Sequence, residues 1–356
     1  MQGFFPPYCA ISGSVLNPET PKEKSLTRES VRMFGAAALI ALALPVGQLF
    51  AQTQVPAAPA DGAAAPSAPA PSGPPVFPKP DPANFTATSP SQEIVNGFLE
   101  ANWGYDSDRM WQVQAIQKTA AEGISKVTVF VGDKTGKQQP SALEFFVTPD
   151  GKHLITGDQV VPFGDHPFAE LRSTMQQKAD GPYRGSPAKD LELVEFADMQ
   201  CPHCKEAQAN MEKLAVDFPK ARIVFQNDPL ASIHPQSEAA AEFGVCVNKM
   251  GGTPAFFQFV SAVFDGQDGL STADGATLTF NSAVTKAGLD PAKVAACAAE
   301  KATVDSVKAS EKLADEAGVT EVPTLIVNGR SIPANIPYDV LKKVITFQAQ
   351  RDGVAQ

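Results

Sequence analysis

The chain has 356 residues, enough for one to three domains and for at least one sizeable core. Its 39 acidic residues outnumber 29 basic ones, for a formal net charge of -10, and no run of Lys or Arg is longer than a pair. Such a balance repels phosphate backbones, which excludes nucleic-acid binding as a working class. Hydrophobic content of 43% is ordinary for a globular protein, but 31 prolines are many, and they crowd into one stretch.

Residues 1–51 read as an export signal or N-terminal anchor. Lys22, Lys24, Arg28 and Arg32 precede an apolar run, 33–46, that is too short to span a bilayer comfortably and is followed by Leu49-Phe50-Ala51, a fair small-residue cleavage site. The polar stretch before Arg28 is long for a leader, which leaves open a start codon downstream of Met1. An uncleaved anchor, tethering the protein to a membrane, is the alternative. No Cys directly follows the run to take a lipid, and no Arg-Arg pair suggests twin-arginine export. Residues 52–85 are mostly Ala, Pro, Ser and Gly, a composition that cannot offset ordering entropy by burial, and read as a disordered linker.

Residues 86–182 read as a small α+β domain. Helical periodicity covers 91–101 and again 108–121; Val127, Val129 and Val131, then Leu143, Phe145 and Val147, each mark one face of a strand. Turn chemistry at Pro149-Asp150-Gly151-Lys152 leads into His153-Leu154-Ile155, a hairpin. Trp103 and Trp111 are assigned to this domain's core rather than to a ligand.

The third region, 186–350, opens with a buried strand, Leu191, Leu193, Val194 and Phe196, running into Cys201-Pro202-His203-Cys204. A helical stripe of Ala207, Met211, Leu214, Ala215 and Phe218 follows until Pro219, then a strand at 222–225, which makes a βαβ unit with a parallel pair. Helical composition from about 235 to 316, broken at Gly251-Gly252 and at 288–291, reads as an inserted subdomain. The chain returns to strand at 323–327, turns at Asn328-Gly329 and ends in a helix over 337–348.

Of five cysteines, Cys9 would leave with the leader, so an exported chain holds four. The two-residue gap favours pairing Cys201 with Cys204, which leaves Cys246 with Cys297 by elimination. A dithiol that cycles with a disulfide needs an exposed thiolate and a second thiol close enough to displace it, and C-x-x-C at a helix start supplies both. Cys201 at the N-cap would be the attacker, favoured as thiolate by unpaired backbone N–H groups. Pro202 fits the first turn, Cys204 one turn in is the shielded resolving thiol, and the His203 imidazole is the natural charge beside the thiolate. Stabilising the thiolate stabilises the reduced form, so the disulfide should be an oxidant. A zinc site is the competing reading; it needs a second close pair, which Cys246 and Cys297, about fifty residues apart, do not offer, and His234 before Pro235 reads as a surface histidine at a turn. No metal and no cofactor is expected.

The conjunction of a strand leading into C-P-H-C, Glu195 six residues before Cys201, a helical insertion, and Val322-Pro323-Thr324 ahead of a late strand resembles exported thioredoxin-fold proteins of the DsbA type. The resemblance covers about 186–348 and implies an α/β, thioredoxin-like fold with an inserted helical subdomain. It implies that Pro323 is cis and lies against the dithiol with Val322, that Glu195 is a buried proton relay, and that Cys246 and Cys297 bridge the insertion or stay as free buried thiols. The helix-then-hairpin order of 86–182 resembles the dimerisation domain of the related disulfide isomerases. The expected activity is an exported, periplasmic or extracytoplasmic thiol-disulfide oxidoreductase, a disulfide-forming oxidase. Its partners are reduced or misoxidised exported proteins and an unidentified redox partner. Val322, where isomerases of that branch usually carry Thr, favours the oxidase. A homodimeric isomerase or a reductase is the alternative, and a non-catalytic peptide-binding module the second one.

Overall fold

The computed structural model describes residues 76–136 and 140–354. The export-signal reading with Cys9, and the linker reading as far as residue 75, lie outside the described residues. Among the described residues no helix is long and apolar enough to cross a membrane. The last ten residues of the stretch read as linker instead have a definite course: the Pro78 carbonyl accepts from Gln114, and Phe85 forms an isolated β-bridge with Ile116.

Helix α1 (Gln92–Trp103) is capped by the Ser91 hydroxyl, which accepts from Ile94 N, and presents Val95, Phe98 and Leu99 as one buried stripe. It covers a five-stranded antiparallel meander, β1 (Arg109–Lys118), β2 (Ser125–Asp133), β3 (Ser141–Val147), β4 (His153–Thr156) and β5 (Gln159–Pro162). The helix expected over 108–121 is therefore strand β1. Its register against β2 slips between Val113 and Ala115, and that bulge buries Val113, Gln114, Ala115 and Ile116 in succession, so the alternation that marks a strand is lost. Trp103 meets Trp111 edge-on at 6.1 Å between centroids, in the core of this layer.

Helix α2 (Ala169–Lys178) follows, unforeseen in the sequence, and its Met175 packs with Val194, Phe196 and Ile326 of the second sheet rather than with the first. That sheet is formed by β6 (Tyr183–Gly185), β7 (Glu192–Ala197), β8 (Arg222–Asn227), β9 (Thr324–Val327) and β10 (Arg330–Pro333), in the order β10-β9-β7-β8-β6. Only β7 and β8 are parallel, joined by α3 (Pro202–Asp217). Strand β7 is buried on both faces, and its alternate residues serve different layers. Leu193 faces α3 and the C-terminal α8 (Tyr338–Arg351), through Met211, Leu214, Leu341 and Ile345, while Val194 and Phe196 face α2 and the end of α7 (Lys301–Glu316).

The insertion between β8 and β9 consists of α4 (Ser237–Asp265), α5 (Ala273–Lys286), α6 (Pro291–Ala298) and α7. Helix α4 is broken at Gly252, whose φ of 71° needs a glycine, and Pro254 lacks an N–H to continue the ladder there. Cys246 of α4 and Cys297 of α6 form a buried disulfide.

The two sheets are tied together by Arg330 at the start of β10. Its guanidinium donates to the Ala101 and Asn102 carbonyls in the last turn of α1 and to Gln348 of α8, and lies over the Phe168 ring at 4.4 Å. A cation at the negative end of a helix dipole needs no carboxylate partner. The Asn328-Gly329 turn sets this arginine in place. Gly329 has φ 89°, and a Cβ there would meet the Phe168 carbonyl. Replacing Arg330 by Met should cost about 2–3 kcal/mol in denaturant unfolding, because three buried hydrogen bonds are lost with their acceptors left in place; a change below about 0.5 kcal/mol would show that the layers hold without it.

Candidate active site

Strand β7 ends at Ala197 and the chain turns through Asp198, Met199 and Gln200 to Cys201, the N-cap of α3 with φ -74° and ψ 123°. Pro202 opens the helix, where its missing N–H costs no helical bond. Cys204 is fully buried on the same stripe as Ala207, Met211 and Leu214, whereas Cys201 retains 5% exposure. The two are free thiols.

The Val322-Pro323 peptide is cis, and the Cys201 thiol points at the Val322 carbonyl with Sγ···O 3.8 Å. Strand β9, two strands from β8 across the sheet, thus brings Val322 and Pro323 to the dithiol. The insertion closes the other side. Gln267 Nε2 donates to the Met199 and Cys201 carbonyls at 3.1 and 3.0 Å, and Gln200 Nε2 to the Leu270 carbonyl at 3.0 Å.

The Cys201 thiol is brought down to about 6, first by the hydrogen bond from the Cys204 thiol, then, against burial, by the backbone N–H groups of Cys204 and His203 and by the charge of His234. A helix terminus alone supplies at most about 2 kcal/mol, roughly half of what that lowering needs. Cys204 is pushed in the opposite direction, by burial first and then by Cys201. One sulfur is thus poised as nucleophile and the other kept as thiol until it is needed.

The His203 side chain turns outward to a partner on its own helix. The ring is exposed, and Nδ1 lies 3.1 Å from Glu206 Oε2, which, first by that hydrogen bond and then by charge, raises the imidazole's own pKa, with the Cys201 charge acting in the same direction; the His203 backbone N–H also favours the thiolate. The surface reading of His234 is corrected. His234 is half-buried, with Nδ1 2.7 Å from Oδ2 of the buried Asp198. Neither Asp198 nor Gln267 was recognised in the sequence. The acid three residues before Cys201 was visible, but two of its three donors come from the distant segment 230–234.

Glu195 lies on the face of β7 beneath α3, 2% exposed, and accepts from Gln208 Nε2 at 3.0 Å. Burial raises its carboxyl to about 7, against the pull of Arg184 and the Gln208 hydrogen bond. A carboxyl of that strength, close enough to Cys204 for its charge to act there, can give and take a proton near neutral pH. Among the described residues no group of three or more His, Cys, Asp or Glu could hold a metal ion.

Because Glu195 binds its proton more tightly in the folded chain than its ordinary 4.5, stability is fullest below about pH 4.5 and falls as pH rises towards 7. Glu195→Gln should therefore leave stability near pH 4 almost unchanged and raise it by up to about 3 kcal/mol near pH 8, measured by denaturant unfolding of the oxidised protein. Equal curves for the two proteins near pH 8 would contradict a buried, weakened acid at this position.

Comparison with known proteins bears on this region. Residues 177–346 match a family model described as Thioredoxin. Over 147 residues the chain is 29% identical to the Na(+)/H(+) antiporter NhaA 3 of Salinispora tropica, a match covering 41% of this chain and 21% of the antiporter. It is 26% identical over 163 residues to the NhaA 1 antiporter of Salinispora arenicola, covering 46% of this chain and 24% of that protein. The chain thus spans between a fifth and a quarter of the length of these curated relatives. Among solved structures, a periplasmic thioredoxin-like protein from Salmonella enterica serovar Typhimurium aligns with TM-score 0.41 and 20% identity, over 51% of this chain and 97% of that one. The catalytic domain of Proteus mirabilis ScsC aligns with TM-score 0.42 and 18% identity, over 51% and 99%. Oxidised BdbD from Bacillus subtilis gives 0.41 and 21%, over 48% and 93%. With a βαβ unit, an antiparallel return strand led by a cis-proline and helices on both faces, the segment 177–346 that matches the Thioredoxin model has a thioredoxin-like fold, with a helical subdomain inserted between β8 and β9.

Proposed function

We propose that the protein is an exported thiol-disulfide oxidoreductase that gives its Cys201–Cys204 disulfide to reduced exported proteins. The observation that carries this reading is the asymmetry of the two sulfurs: Cys201 at a helix N-cap, brought down to about 6, and Cys204 sealed behind it and pushed up. A stabilised thiolate favours the reduced form, so electrons run from substrate into this dithiol. A substrate thiolate attacks Cys201 Sγ, the Cys201–Cys204 bond breaks, and Cys204 leaves and takes a proton, with Glu195 as donor. The substrate's second thiolate then attacks its own mixed-disulfide sulfur and releases Cys201 as thiolate. Two electrons pass to the protein, which a separate oxidising partner must remove before the next cycle. The cis Val322-Pro323 edge beside Cys201 suits an extended substrate segment. The export signal read at 1–51 puts the reaction in the periplasm or another extracytoplasmic space, with or without a membrane tether.

A dimeric isomerase is the second reading. It is favoured by the domain that precedes the second sheet, a helix on an antiparallel meander whose last strand, β5, carries Val160 with 64% exposure at a sheet edge. That reading requires a dimer in solution and rescue of a scrambled disulfide protein; a monomer unable to rescue removes it.

The oxidised protein should speed refolding of a reduced multi-disulfide protein well beyond what Cys201→Ser achieves, and equal rates would overturn the oxidase assignment. Cys204→Ala should collect mixed disulfides with substrate disulfides through Cys201, visible on non-reducing gels; no adducts would mean that the roles of the cysteines are misassigned. Equilibration with glutathione separates these readings from a structural staple in a peptide-binding module, whose disulfide would resist that buffer.

A further inference from the structure

The carboxylate of Asp198 lies at the junction of the dithiol loop and the inserted subdomain, 1% exposed. Three donors converge on it: Gln200 N on Oδ1 at 2.7 Å, and Leu230 N and the His234 Nδ1–H on Oδ2 at 2.9 and 2.7 Å. Its backbone touches both cysteines, since Asp198 N donates to Cys204 Sγ at 3.4 Å and Asp198 O accepts from Cys201 N at 3.1 Å. His234 is in turn fixed at both of its backbone ends, its N–H on the Leu230 carbonyl and its C=O accepting from Ser237 N and Oγ at the start of α4. The Asp198 carboxylate holds the imidazole.

We propose that Asp198 and His234 are a positioning pair for the dithiol: the carboxylate, tied through its own backbone to both cysteines, holds the His234 imidazole at the junction between the dithiol loop and the insertion. The sequence assigns the charge beside the thiolate to His203, the residue between the cysteines. The structure gives the His203 ring to Glu206 at the exposed rim, where it still feels the Cys201 charge, while His234, from the insertion side, is also among the groups that favour the thiolate. The pair also couples the redox site to the insertion, because the segment 230–237 that carries His234 leads directly into α4.

Other titratable groups surround the pair. Cys201 and Cys204 lie on the loop and α3. Asp228, at the end of the β8 segment, is pushed up to about 7, by burial first and then by Glu311 and Asp315 of α7 and by Asp198. Glu195 acts from below on Cys204. Asp228 therefore titrates within the range of interest and needs its own control, Asp228→Asn.

The proposal rests on the dithiol reading above, and one experiment separates the two: the pH profile of Cys201 alkylation in the reduced full chain, followed with iodoacetamide and by thiolate absorbance. In the wild type, reactivity should persist near pH 6. In His234→Gln the rate near pH 6 should fall by about threefold to tenfold, while the rate near pH 9.5, where the thiolate is complete in both, stays the same. A purely structural loss would change both limbs. Asp198→Asn should move the profile in the same direction, the double variant no further than Asp198→Asn alone, and the equilibrium with glutathione towards the disulfide. His203→Ala should move the profile less than His234→Gln. If the wild type titrates as an ordinary thiol, the redox reading and the pair fall together. If the wild type is reactive near pH 6 and His234→Gln leaves that limb unchanged, or His203→Ala alone abolishes it, the pair falls and the redox reading stands.

Discussion

The unpaired N–H groups at the start of α3 impose the order of everything around them. A thiolate placed there accepts bonds that the helix cannot make for itself, so a sulfur at the N-cap is drawn towards its charged form. The second sulfur, one turn later, falls on the helix's apolar stripe and is drawn the other way. Two chemically identical side chains thereby acquire opposite tasks from a separation of three residues. The remaining architecture delivers this helix start to a place where it can be used. Strand β7 brings the chain to the edge of the core, β9 sets the Val322 carbonyl against the attacking sulfur, and the insertion pins the loop through Gln267, Gln200 and Asp198.

Much of the second sheet was legible because its signals are local. The run from Leu191 to Phe196, the spacing of Cys201 and Cys204, the stripe ending at Pro219 and the Asn328-Gly329 turn each declare themselves within a few residues. What was not legible depends on contacts from far along the chain. The His203 side chain looked decisive because it lies between the cysteines, yet its nearest acid is Glu206 on its own helix. The His234 imidazole looked incidental because nothing near it in sequence reveals Asp198, 36 residues earlier. Strand β1 was misread for a related reason: its bulge is defined only against β2, and without that partner the buried run at 113–116 reads as helix.

Between the two sheets, the tie runs through a charge whose hydrogen-bond partners are neutral carbonyl groups. Arg330 gives its donors to carbonyls at the end of α1 and to Gln348, and of its flanking rings Phe168 comes from the connection between the two sheets and Tyr105 from the loop between α1 and β1. The arginine belongs to β10, the edge strand farthest along the sheet from β6, so the preceding domain is attached at the side of the sheet rather than at the dithiol end of α3. Among the described residues, Gln267 and Leu270 of the insertion bond the loop that carries Cys201.

The chain carries two cysteine pairs that differ in access. Thiol exchange requires a nucleophile to approach a sulfur along the axis of the bond it breaks. Cys201 keeps a sliver of surface at the rim of the loop, while Cys246 and Cys297 are closed in by α4, α6 and the Thr303 hydroxyl of α7. A reductant that has no path to the second pair cannot distinguish its potential from that of a far more stable bond. For the proposed exchange, selectivity between the two pairs would then be set by access to the sulfur rather than by the strength of the bond.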